Sequence, residues 1–135
     1  MSLWVDIGVP LGAAAIAAAA ALAGSWSGGR NDHAAWLRVE RRAAYVGLVT
    51  AGEDYAGLTE EDSYAVFRVL RLAVATVEVV GPDQILDAAD KLFRTCIELR
   101  ESFVQDPRGD AYKASFDVYE KARFAFGSQA RQVLG

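Results

Sequence analysis

The residues able to do acid–base, nucleophilic or metal chemistry are few in this chain. His33 is the only histidine, so neither a three-histidine zinc site nor the paired Glu-x-x-His motifs of di-iron bundles can be assembled. One histidine would suffice for a Ser-His-Asp triad, but no G-x-S-x-G elbow accompanies it. His33 stands beside Asp32 in a polar joint, where a solvated residue near a helix start is expected. Cys96 is the only cysteine and has no internal disulfide partner. It lies among Leu92, Phe93 and Ile97 at helical spacing, which points to a buried thiol in a reducing compartment. Gly8-x-x-x-Gly12 lacks the lysine and the serine or threonine of a phosphate-binding loop.

Carboxylates remain. Asp87 with Asp90, and Glu98 with Glu101, cluster on one predicted helix. Asp87 stands four residues before Lys91, and Asp90 four before Arg94. This is the spacing of ion pairs on a solvated helix face. Thr59-Glu60-Glu61-Asp62 reads as a helix start, because a threonine cap and acids near the positive helix end are favourable there, rather than as a metal site. The expectation is a chain with no catalytic residues, metal or cofactor, and so not an enzyme.

Charge narrows the partners. The 135 residues carry a net charge of −4, and no long basic stripe is present to displace counterions from phosphates, which argues against nucleic acid. Arginine outnumbers lysine 11 to 3 in an alanine-rich composition, a bias of GC-rich genomes.

The elements that would position these residues are helical. From Ile7 to Gly29 no residue is charged, a run of 23, long enough for a helix to cross a hydrocarbon layer of about 30 Å. Trp4 and Trp26 bracket the run, roughly 33 Å apart along such a helix, and tryptophan favours both membrane interfaces. A cleaved signal peptide is the rival reading, since Ala19 and Ala21 offer a small-x-small site, but its leading positive charge is missing and Asp6 stands there instead. Arg30, Arg38, Arg41 and Arg42 follow the run, so the positive-inside rule gives an anchor with its N-terminus outside and the remainder cytoplasmic, in a bacterial cell membrane. A soluble buried helix is the third reading. Trp4, Trp26, Arg30, Trp36, Arg38, Arg41 and Arg42 are the expected contacts with membrane lipid, the arginines meeting anionic headgroups. Gly8, Gly12, Ala15, Ala19 and Ala23 form a stripe of small residues at helical spacing, a candidate for helix–helix association and homo-oligomers, although in so alanine-rich a segment composition alone produces one.

The rest of the chain reads as four amphipathic helices. The first runs from about Asp32 to Gly57, with Trp36, Ala43, Val46 and Thr50 on its apolar side. The second, from Thr59 to about Val80, carries Tyr64, Phe67, Leu70, Val74 and Val77; a strand over Val74 to Val80 is the lesser alternative. Gly81-Pro82 stops it, and the third reaches about Val104 on Ile85, Ala89, Leu92, Cys96 and Leu99. After Asp106-Pro107-Arg108-Gly109 the fourth spans about Asp110 to Val133 with a coiled-coil-like alternation. Short joints favour an up-down-up-down packing. The expected fold is all-α, with an N-terminal transmembrane helix in residues 1–29 and an antiparallel four-helix bundle in residues 30–135. Phe67, Leu70, Phe93, Ile97, Phe116, Tyr119 and Phe126 are its expected core.

The stretches "AAWLRVERRAAYVGLV" and "VEVVGPDQILDAADKLF", behind a short apolar N-terminal segment, resemble those of a loose group of uncharacterised, especially actinobacterial, single-pass membrane-anchored helical-bundle proteins. The likeness is best over residues 34–104. It implies architecture alone and carries no activity, cofactor or site residue. A membrane-tethered interaction or scaffolding module with an unknown protein partner is therefore the leading functional expectation. The alternative is an oligomerising membrane effector or stress-response protein acting on the bilayer.

Overall fold

The computed structural model describes residues 30–57 and 63–135. These form four helices, α1 (Arg30–Ala56), α2 (Ser63–Val80), α3 (Asp83–Gln105) and α4 (Asp110–Leu134), and no strand occurs among the described residues. The helical reading of Val74 to Val80 holds over the strand alternative, because the helical period that buries Val69, Leu70, Ala73, Val77 and Val80 runs to the end of α2. No helix among the described residues is long and apolar enough to cross a membrane. The expected span over residues 7–29 lies outside them, as do Trp4, Trp26 and the small-residue stripe from Gly8 to Ala23. The helix start expected at Thr59 lies outside them too.

Each helix buries one narrow stripe. Ala44, Leu48, Ala51 and Tyr55 of α1, Ile85, Ala89, Leu92, Cys96 and Leu99 of α3, and Tyr119, Ala122, Phe126 and Ala130 of α4 recur at three- and four-residue steps, the period that places side chains on one face of an α-helix. The helices alternate in direction. Tyr55, near the end of α1, meets Phe67, near the start of α2, at 5.8 Å between ring centres, and Phe103, near the end of α3, meets Tyr112 at the start of α4 at 5.4 Å. Tyr45 of α1 sets its ring edge-on to Phe126 of α4, 5.8 Å away and at 85°. Along one diagonal α1 and α3 touch, whereas α2 and α4 do not meet. Gly52 makes the diagonal contact possible, because a Cβ added there would come within 3.0 Å of the Cys96 sulfur.

The joints are built by local chemistry. Gly81 takes φ +54, a left-handed conformation that closes α2 at small cost only for glycine. Two side chains of α1 pin this joint: Arg41 Nε donates to the Val80 carbonyl at 2.7 Å, and the Tyr45 hydroxyl donates to the Gly81 carbonyl. The arginine thereby meets the negative end of the α2 dipole and satisfies a carbonyl that the helix leaves open. At the α3–α4 joint the Asp106 carboxylate accepts from the Arg108 amide at 3.1 Å, an Asx-type turn. Gly109 leaves room for that carboxylate: a Cβ there would approach an Asp106 oxygen to 2.8 Å, and the side chain would have to shift.

Candidate interaction surface

The residues with reactive chemistry are dispersed by the fold. His33 stacks on Trp36 of its own helix, 6.2 Å between ring centres. Cys96 is fully buried, and burial pushes its thiol up to about 12. Among the described residues no three His, Cys, Asp or Glu side chains converge to hold a metal. The expected surface ion pair of Asp90 with Arg94 forms at 3.0 Å, and Asp87, Glu98 and Glu101 are exposed along α3. Tyr45, Tyr55 and Tyr119 all have their hydroxyl pKa raised by burial, Tyr119 to about 12. A buried Arg100 on α3 holds its guanidinium over the Tyr55 ring at 5.6 Å, a contact that no spacing rule would find.

The surface is more distinctive than the interior. On α1 the expected apolar side is not the core side. Val39 is 65% exposed and Val46 61%, and Ala43 and Thr50 are exposed beside them. The helix instead turns Ala44, Leu48 and Tyr55 inward. It therefore has two apolar faces, one buried and one presented to solvent on the opposite side. The outward ridge separates two shallow depressions. One, about 630 Å³, is bounded by Val39, Val46, Gly47 and Asp54, with Val69 of α2 across from them. The other, about 250 Å³, is a crevice between α1 and α4, floored by Val49, Phe126 and Ala130 and edged by Arg42 and Arg131.

The expected lipid contacts divide by position. Arg38 and Arg42 are exposed on α1, Trp36 is half-buried against His33, and Arg41 is half-buried at the α2–α3 joint. Arg30 opens α1. One ion pair fastens the flank of the ridge to α4, Glu53 with Arg123 at 2.7 Å. On α4 the expected core residue Phe116 is 45% exposed, a correction to the inward stripe. It belongs to a row in which Phe103, Tyr112, Phe116 and Tyr119 each pack on the next, 5.4 to 6.4 Å apart. Phe124 is 74% exposed on a further face of α4. No family model, curated protein or solved structure matches the chain.

Proposed function

We propose that this chain is a membrane-tethered helical interaction or scaffolding module, held at a bacterial cell membrane by its uncharged N-terminal run with the helical bundle on the cytoplasmic side. The observation that carries the interaction reading is the outward ridge of α1. A solvated helix face ordinarily carries charge, whereas Val39, Ala43, Val46 and Thr50 give this one an uncharged strip with two exposed valines between two depressions, the kind of surface that a partner would cover. The tether is supported by the 23-residue uncharged run and the arginines that follow it.

A photo-cross-linking residue placed at Thr50 in the full chain, in cells, tests the reading. Adducts of defined mass should form in the membrane fraction and vanish when Val46→Lys is added. The same cross-linker at Glu78 or Lys113, exposed positions on other faces, should give none. Equal yields from all three positions, or adducts indifferent to Val46→Lys, would overturn the interaction surface. Release of the full chain by carbonate washing would overturn the tether.

A further inference from the structure

We propose that the outward ridge of α1 pairs with the same ridge of a second copy of this chain, antiparallel, about a two-fold axis that passes between Ala43 and Val46. This rests on the interaction reading above and names its partner. The ridge has the steps of a two-helix seam: Val39, Ala43, Val46 and Thr50 follow at four, three and four residues, and on an α-helix they fall within about 60° of one another. They lie opposite the face that packs into the core, so none of α2, α3 and α4 covers them. Beside Val46, the centre of the ridge offers little bulk. Ala43 has one methyl group, and a Cβ added at Gly47 would meet nothing within 4 Å, so a second helix can approach closely.

Charge sets the direction. Arg42 edges the crevice on the α4 side of the ridge, and Arg38 lies one turn before it. Glu53 lies on that same side, held by Arg123 of α4, with its side chain still about half exposed. An antiparallel partner brings the arginine end of each copy beside Glu53 of the other and sets Val39 across from Thr50. A parallel partner would keep Arg42 level with Arg42 and Glu53 level with Glu53, on opposite flanks of the seam, and so would not bring the arginine end of one copy to Glu53 of the other. Residue i then contacts residue j and j contacts i, so the pairing closes as a dimer and does not propagate. An anionic bilayer is a poorer fit, because Glu53 and Asp54 at the far end of the ridge would repel it.

The test uses the full chain in phosphatidylcholine vesicles. Copies carrying Val39→Cys are mixed with copies carrying Thr50→Cys and oxidised mildly; native Cys96 is buried and stays silent. The mixture should give a disulfide-linked dimer at least five times more abundantly than either variant alone. Val46→Glu added to both copies should abolish it without changing the melting temperature. Cross-linking of Val39→Cys copies with one another as readily as in the mixture would mean a parallel pair, and no cross-link in any sample would mean no pair; either overturns the proposal. Quenching of a fluorophore on Val46→Cys by brominated lipid would overturn it in favour of the bilayer. Thr50 photo-adducts whose mass is not that of a second copy would defeat self-pairing and leave the interaction reading standing, whereas the absence of all adducts defeats both.

Discussion

Phe126→Ala should be among the most damaging single truncations in the bundle. The ring is fully buried on α4 and meets Tyr45 of α1 edge-on at 5.8 Å, so its loss opens a cavity between these two helices and removes an aromatic pair. Truncating a buried phenylalanine costs about 3–5 kcal/mol, including the cavity, and an edge-to-face pair accounts for about 0.5–1.5 kcal/mol beyond burial. Each kcal/mol lowers the midpoint of a small domain by about 4–8 °C, so the melting temperature should fall by roughly 15 °C or more. Phe116→Ala is the control on the same helix. Its ring is 45% exposed, and removing it should cost about 1 kcal/mol, since only part of its area leaves water on folding. Thermal unfolding of both variants, followed by far-ultraviolet circular dichroism, provides the comparison. Equal losses would refute the assignment of Phe126 to the core and Phe116 to its edge.

Alkaline pH should weaken the fold. The Cys96 thiol is raised from 9.0 to about 12 and the Tyr119 hydroxyl from 10.0 to about 12, both by burial. The unfolded chain therefore loses these protons first, and stability that is full below pH 9 falls as pH rises towards about 12. Denaturant midpoints at pH 7, 9 and 10.5 should decline in that order, and less steeply in Cys96→Ala; a flat profile would contradict the burial of both groups. Arg41→Ala should cost about 1–2 kcal/mol by freeing the Val80 carbonyl at the end of α2. If Arg41 acts at lipid headgroups instead, the variant will lose vesicle binding with no change in melting temperature. Gly52→Ala should cost about 1–3 kcal/mol because its Cβ would press on the Cys96 sulfur at 3.0 Å. Combining it with Cys96→Ala should recover part of that loss, and strict additivity would show that the two positions do not touch.

The helices were legible in the sequence because their signals are local. Gly81 and Pro82 end α2 and open α3 where the spacing places them, and the Asp106 to Gly109 break likewise separates α3 from α4. The phase of α1 was not legible. Alanine, valine and glycine recur on both sides of that helix, so Ala43, Val46 and Thr50 read as well as Ala44, Leu48 and Tyr55, and only the positions of the other helices decide between them. Phe116 lies off the buried stripe for a related reason. Since α4 meets α3 and α1 but not α2, its buried stripe is narrower than its apolar one, and a ring at the edge of a helical period stays partly in water. The pinning of the α2–α3 joint by Arg41 and Tyr45 was beyond reach, because it joins residues 36 and 39 positions apart in the chain. Arginine behind an apolar run reads first as a topology signal.

The proposed tether and the proposed pairing of the ridge complement each other energetically. Four residues spaced over about 16 Å of helix form a seam far smaller than the roughly 1,200–2,000 Å² that stable interfaces bury, so two free copies should separate readily. Copies anchored in one membrane need not find each other through bulk solution, and their effective concentration rises without any new contact. A weak seam suffices under those conditions, and it makes association depend on how densely the chain populates the membrane. Strengthening the seam should uncouple the two: Ala43→Leu together with Thr50→Leu adds apolar volume at two positions that already face solvent, so it should leave the fold intact while promoting dimers at lower surface density. Cross-linking yield measured against protein-to-lipid ratio reads this directly. A yield that stays constant from sparse to dense vesicles in the native chain would show that the ridge associates strongly by itself, and the membrane would then serve location alone.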